Sequence, residues 1–290
     1  MGAKVSAAFQ VGFLSWRWDE GEIRAFQEGL PLSDRGFRYG QHLFESIAIR
    51  SGVALLVAEH LALLAYAAKE HGYPFTRSMA AALRTFLNSV TLGDGMLRIF
   101  LTAGSGAPAS PIREPGCYLT WEPSTFPTLR EIETGFSVTL LKKPYLGEGW
   151  GIKCGNYAAH LNALHAARSS GADEAIVHDA KGRILSCAMG NLIVWMASPK
   201  SGKELIPFTP STNFGVRRGA VLRWVSRQTR LIECELRISD LRRARALAVT
   251  NSRLGVMPVA TLDGRSFSDL SSARVLAQHF MYSHGLLGSS

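Results

Sequence analysis

The order of elements along the chain predicts an α+β protein built in two parts. Three observations carry this. Hairpin-like strand pairs and amphipathic helices follow one another without a regular βαβ period. A mostly polar, proline-bearing segment, Glu122-Pro123-Ser124-Thr125-Phe126-Pro127, interrupts the chain. The 290 residues are enough for one large domain or two modest ones, at roughly 150 residues each. The expected organisation is a smaller α+β part over 1–121, a linker at 122–127, and a larger part over 128–290.

Ala8 to Trp16 reads as extended, and Ser33-Asp34-Arg35-Gly36 as a turn cluster. Leu43 to Arg50 and Val53 to Val57 are strands joined by Ser51-Gly52, a two-residue hairpin connection. Ala58 to His71 is a helix with Leu61, Leu64, Ala65 and Ala68 on one face, and Thr76 to about Val90 is a second, stopped near Gly93. Met96 to Thr102 and Cys117 to Trp121 are strands. Beyond the linker come a strand at Phe136 to Leu141 and a helix at Ala158 to Ser169, with Leu161, Leu164 and His165 at helical spacing. His165 is read as a core or boundary residue rather than a ligand. Further strands are expected at Glu174 to Val177, Asn191 to Met196, Leu231 to Glu235 and Ala246 to Thr250. Helices are expected at Gly215 to Gln228 and Ser268 to Ser283. No repeat or low-complexity segment interrupts the pattern.

Composition narrows the class. An apolar share of 47% is ordinary for a chain that buries a core. No apolar run reaches the roughly 18 residues of a membrane-spanning helix; the richest, Val53 to Ala68, is broken by Glu59 and His60. The N-terminus lacks the basic start, apolar core and small-residue cleavage site of a signal peptide, so a soluble cytoplasmic protein is expected. Four scattered cysteines without a CxxC pair argue for reduced thiols, with no disulfide framework or zinc site. The net charge of +9 is dispersed apart from Arg217-Arg218 and Arg242-Arg243 with Arg245. No stripe of interleaved basic and aromatic residues suggests a nucleic-acid groove. A solvated surface, or a field that draws anionic ligands to a cleft, is the better reading.

Five collinear segments, spanning nearly the whole chain, resemble the class IV aminotransferase family. The first is Leu32-Ser33-Asp34-Arg35-Gly36-Phe37-Arg38-Tyr39-Gly40, then Leu43-Phe44-Glu45-Ser46. The second is Ile152-Lys153-Cys154-Gly155-Asn156-Tyr157, leading to Gly171-Ala172-Asp173-Glu174-Ala175. The third runs from Gly182 to Asn191, the fourth is Gly215-Val216-Arg217-Arg218, and the fifth is Thr250-Asn251-Ser252 with Val256-Met257-Pro258-Val259. The nearest branch is that of 4-amino-4-deoxychorismate lyase. The resemblance implies the two-domain D-amino-acid aminotransferase-like fold (fold type IV), pyridoxal 5'-phosphate (PLP) as cofactor, and a homodimer. It also implies a lyase or aminotransferase acting on an amino acid or amino-chorismate-like substrate.

By that resemblance Lys153 carries the cofactor as a Schiff base and afterwards moves protons on the substrate, which requires an amine that can be neutral. Ile152 and the small pair Cys154-Gly155 around it allow burial in a cleft. Tyr157 resembles a tyrosine set against the cofactor's phenolic oxygen. Gly215-Val216-Arg217 resembles the phosphate loop, with two backbone amides as donors at a helix start. Asn251 and Ser252 would add contacts at a strand end, while Tyr39 and Phe44 resemble residues lining the substrate side.

Four positions depart from the family pattern. The usual His-x-x-Arg-Leu, whose arginine grips the phosphate, reads His60-Leu61-Ala62-Leu63-Leu64. The glutamate that pairs with the pyridine nitrogen is replaced by Ser186, a threonine of the phosphate loop by Arg217, and an arginine after Thr102 by Ala103. A hydrogen bond to a charged group contributes about 1.5–3 kcal/mol, so losing the arginine weakens phosphate binding by about ten- to a hundredfold. Arg217 is a candidate to restore part of that charge. Serine stabilises a pyridinium less than a carboxylate does, which makes the ring a poorer electron sink.

Three readings therefore stand at this point. One is a PLP enzyme, lyase or aminotransferase, working through Lys153. The second is a relative that has lost PLP and uses the cleft for other chemistry or binding, motivated by Leu63 and Ser186. The third is a nucleic-acid or interaction module exploiting the positive charge.

Overall fold

The computed structural model describes residues 13–145, 151–200, 202 and 204–286. Strands β1 (Leu14–Asp19) and β2 (Glu22–Ala25) come first, then helix α1 (Arg35–Tyr39), β3 (His42–Arg50) and β4 (Val53–Ala54). Helices α2 (Val57–Glu70) and α3 (Arg77–Ser89) precede β5 (Gly95–Thr102) and β6 (Gly116–Pro123). These strands form one antiparallel sheet in the order β2-β1-β6-β5-β3-β4. The β3–β4 hairpin turns on Ser51 and Gly52, with φ of 49° and 78°. Positive φ at both central residues suits the right-handed twist of a two-residue hairpin. Residues Ile47, Leu97, Ile99, Leu101 and Leu119 pack under Leu61, Leu64 and Ala68 of α2 and Met79, Leu83 and Leu87 of α3. Thr76 caps α3 by accepting from the Met79 N–H at 3.1 Å.

After α4 (Leu129–Thr134), whose Thr128 and Glu131 form a capping box, come β7 (Phe136–Leu140), α5 (Ala158–Ser169), β8 (Glu174–His178), β9 (Ile184–Cys187), β10 (Asn191–Ala197) and β11 (Leu205–Pro210). A 3-10 turn (Thr212–Phe214) leads to α6 (Ala220–Gln228), β12 (Ile232–Cys234), α7 (Ile238–Leu241), β13 (Ala246–Asn251), β14 (Gly255–Leu262), β15 (Arg265–Ser266) and α8 (Ser271–Ser283). The second sheet runs β12-β11-β10-β13-β14-β7-β8-β9, with β15 paired to β14. It is mixed: β7 lies parallel to both β8 and β14, and β11 parallel to β12. Its core, including Ile193, Val194, Leu247, Val249 and Met257, is covered by α6 and α8. This is the α+β architecture expected.

Several local readings change. Residues 8–12 of the first expected strand lie outside the described residues, and β1 begins at Leu14. The Ser33–Gly36 cluster opens a short helix: Asp34 caps α1 by accepting from the Gly36 N–H at 2.6 Å. β6 continues through Glu122 and Pro123, two residues into the segment read as linker. The helix expected from Gly215 begins at Ala220, because Gly215 sits at φ 74° closing the 3-10 turn. On α5 the buried positions are Ala163 and Ala167, while Leu161 is 51% exposed and His165 faces solvent. Small alanines let α5 lie close against β8, which overrides the apolar periodicity. β14 was legible only as a motif, because Pro258 lacks the N–H of a strand residue, yet it pairs with Ala248 of β13.

Candidate active site

The segment that carries Lys153 ties the two sheets together. The Phe44 N–H donates to the Lys153 carbonyl at 2.9 Å, and the Gly155 N–H donates to the His42 carbonyl at 2.9 Å. Leu43 and Cys154 form an isolated bridge. On the other side, the Gly151 N–H donates to the Gly215 carbonyl at 3.0 Å, so the lysine segment is anchored both to β3 and to the loop before α6. Gly155 has to be glycine: an added Cβ would overlap the Gly40 carbonyl oxygen and the His42 ring.

The cleft beside this segment has a volume of about 360 Å³, within the range of small-molecule sites. Of the residues singled out in the sequence, Lys153, Tyr157, Ser186, Gly215, Val216, Arg217, Asn251 and Ser252 all line it. Phe44 stands behind the lysine, with the Nζ 4.2 Å from its ring centroid. Tyr39 does not line the cleft; it is 48% exposed, under the Arg38 guanidinium. The motif around it is structural. Asp34 also accepts from the Thr102 hydroxyl at 2.7 Å, and the buried Arg35 donates to the carbonyls of Ala103 and Ser110 at 2.6 and 2.7 Å.

Lys153 Nζ donates to the Tyr157 hydroxyl at 3.0 Å. Burial pushes its pKa down to about 7; the charges of Arg217 and Arg98 push the same way, against Glu45. The Tyr157 hydroxyl is pushed up to about 12, chiefly by burial, and stays protonated at neutral pH. Ser186 donates to the Cys187 carbonyl at 2.9 Å, leaving its oxygen as an acceptor toward the cleft. Asn251 is committed to its own loop, donating to the Met189 carbonyl at 3.2 Å and accepting from the Leu254 N–H at 2.8 Å.

Four features were not assigned a role from the sequence. Glu45, 3% exposed, accepts from His60 at 2.8 Å and from Arg217. Burial pushes this carboxyl up, but Arg217 and His60 outweigh it and hold the pKa at about 2. A lone carboxylate among the apolar residues Leu43, Phe44, Ile47 and Ile49 of β3 was the available signal. Arg98 brings a second cation to the cleft, paired with Glu122 at 2.6 Å. Thr250, 1% exposed, lines the cleft with a hydroxyl that has no hydrogen-bond partner among the described residues. Glu174, also buried and lining the cleft, is pushed up to about 7 by burial, although the N–H groups of Ala175, Met189 and Ala188 pull the other way.

A buried lysine amine between the two sheets, facing a loop of backbone N–H donors, is an arrangement suited to a carbonyl-bearing anion. Residues 42–262 match the family described as Amino-transferase class IV, more than half of the chain, and the protein belongs to that family. A bifunctional aminodeoxychorismate lyase / D-amino acid transaminase of Mycobacterium tuberculosis is 25% identical over 281 residues, covering 89% of this chain and 95% of that relative. The solved 4-amino-4-deoxychorismate lyase of Pseudomonas aeruginosa matches with a TM-score of 0.77 at 22% identity, over 94% of this chain and 100% of the other. The PLP-bound form of a hypothetical aminotransferase from Mycobacterium tuberculosis matches with a TM-score of 0.72 at 21% identity, over 91% and 96%. No helix of the described residues is long and apolar enough to cross a membrane.

Proposed function

We propose that this chain is a PLP-dependent lyase or aminotransferase that acts on an amino acid or amino-chorismate-like carboxylate, with Lys153 as the residue that attaches the cofactor. The observation that carries the reading is the Lys153 amine, whose pKa is pushed down to about 7 at the wall of a cleft lined by the other candidate residues. The residues present fit the cofactor. The N–H groups of Val216 and Arg217 have no acceptor among the described residues, and the Thr250 hydroxyl is a buried donor without a partner. These groups, with Ser252, would hold the phosphate.

When bound, PLP supplies an aldehyde for covalent attachment to an amine and a conjugated ring that withdraws electrons from the substrate's α-carbon. Lys153 provides a neutral amine near pH 7, able to attach and then to carry a proton at its Nζ. Tyr157 orients that amine through its hydroxyl. Phe44 excludes water from the far side of Nζ. Ser186 can accept a hydrogen bond from a ring N–H but brings no negative charge, so protonation at Lys153 is the larger lever in this site. Arg98, on the open side, is the cation suited to a substrate carboxylate.

We further propose a domain division within the 122–127 segment, at the stretch 124–127 that follows β6, and a homodimer. The exposed apolar run Leu30, Leu32, Phe37 and Tyr39 supports the second. Sedimentation of the full chain at a mass of one subunit would argue against it. The function is tested by adding PLP to the purified protein. Uptake should give an absorbance band that shifts on borohydride reduction, with the added mass on the Lys153 peptide and none in Lys153→Ala. A wild-type protein that takes up no PLP overturns the reading.

A further inference from the structure

The cation at the start of α6 has one carboxylate partner and donors left over for a second anion. Arg217 bonds Glu45 through Nη2, while its Nη1 lies 3.3 Å from where a Cβ of Gly219 would stand. Gly219 is the N-cap of α6, which spans nine residues and turns the positive end of its dipole toward that guanidinium. The neighbouring arginines do not share this position: Arg218 pairs with Glu233, and Arg227 with Glu59. Arg223 feels the excess, its pKa pushed down by burial and by the charges of Arg217 and Arg218. Glu45 carries a single negative charge, and its two oxygens are taken by Arg217 and His60, which leaves it no acceptor for the remaining arginine donors.

A second observation points to a ligand at the same place. Asn191 accepts from the Gly219 N–H at 3.0 Å, and its partner across the sheet is Thr250, whose buried hydroxyl has no partner among the described residues. His60, in turn, reaches Ser252 through Nε2 at 3.3 Å. One chain, Ser252–His60–Glu45–Arg217, buried at its middle pair and half-buried at its ends, therefore links the loop after β13 to the loop before α6. Meanwhile α2 offers no cation here: Leu63, one turn beyond His60, is buried and apolar.

We propose that the side chain of Arg217 is the phosphate-selecting cation of this site, aimed by the Glu45–His60 pair and supplying from the loop before α6 the charge that α2 lacks. Its Nε and Nη1 donors have no acceptor among the described residues, and a planar guanidinium held at one edge presents the others to a phosphate monoester in fixed geometry. Arg217 is thus a specificity-determining residue for the phosphorylated cofactor over its unphosphorylated form. Glu45 and His60 are positioning residues. The inference rests on the PLP reading of the cleft.

The test compares PLP with pyridoxal, which lacks the phosphate, in spectroscopic titrations of the full-length protein without cofactor. Arg217→Met keeps the stem and drops the charge. It should weaken PLP binding about ten- to a hundredfold and leave pyridoxal within about twofold. Adding Leu63→Arg to that variant should recover most of the loss, since residue 63 shares the α2 face with His60. Inorganic phosphate should raise the melting temperature of the wild type and not of Arg217→Met. Should Arg217→Met not fold, Arg217→Lys serves: an intermediate loss for PLP alone supports the assignment, and an equal loss for both ligands overturns it. Equal or absent losses for the two ligands in Arg217→Met likewise overturn it, even though the wild type takes up PLP. A wild type that takes up neither ligand instead overturns the functional reading itself, so the two failures are distinct.

Discussion

On the proposed function the titration of Lys153 carries the chemistry, and it can be measured without knowing the substrate. Its pKa of about 7, against an ordinary 10.5, means that half of the amine is neutral at pH 7. An ordinary lysine is neutral there in about one molecule in 3,000, so the free-amine fraction rises about a thousandfold. The gain in reaction rate is smaller, because a less basic amine is also a weaker nucleophile. The shape of the profile is therefore the discriminating quantity. Competitive labelling with trace acetic anhydride, read by mass spectrometry of the Lys153 peptide from pH 5 to 11, should rise with a midpoint near 7 and level off above about pH 8.5. A blocked lysine amide in the same tube should still be rising there. The sign of each neighbour follows from its charge. Arg217→Met removes a cation that disfavours the ammonium and should move the midpoint up, whereas Glu45→Gln removes the opposing carboxylate and should move it down. A wild-type midpoint above pH 9, or no movement in either variant, would refute both the burial and the charge argument.

Other sites allow independent checks. Tyr157→Phe removes the hydroxyl that accepts from Nζ and should slow borohydride-trappable attachment of PLP about two- to tenfold without lowering the melting temperature; an unchanged rate would remove Tyr157 from the site. Glu174 rises from 4.5 to about 7 on folding, so its contribution is full below pH 4.5 and is lost as pH increases through 7. Urea unfolding should show the wild type losing up to ~3 kcal/mol relative to Glu174→Gln between pH 4.5 and 7.5, and a pH-independent difference would contradict this. Gly155→Ala forces a methyl against the Gly40 carbonyl and the His42 ring and should cost about 1–3 kcal/mol in the same assay; a neutral effect would mean that the lysine segment is looser than its hydrogen bonds indicate.

Much of the architecture is local and was legible in residue order. The Ser51-Gly52 hairpin, the helix expected from Thr76 to about Val90 and the helix Ala158–Ser169 depend on neighbours within a few residues, and the structure places them close to where periodicity and turn chemistry predict. Elements whose identity depends on distant partners were read less well. β14 forms despite Pro258 because β13 and β7 flank it, and α6 starts late because Gly215 closes a separate turn. The face that α5 buries was misread for the same reason, as fit against β8 overrode the apolar spacing.

The same division holds for the site. The resemblance of five collinear segments to the class IV family was enough to select Lys153, Tyr157 and the loop at Gly215 to Arg217 as candidates, because such segments survive in a linear chain. It also exposed the missing cation at Leu63. Only the tertiary structure decided that Arg217 turns to Glu45, that Glu45 and His60 form a buried pair, and that the Lys153 amine is poised near neutrality. Those outcomes depend on desolvation and on charges brought together from segments as far as 172 residues apart. Helices and turns answer to local geometry, whereas a protonation state answers to whatever the fold packs around it.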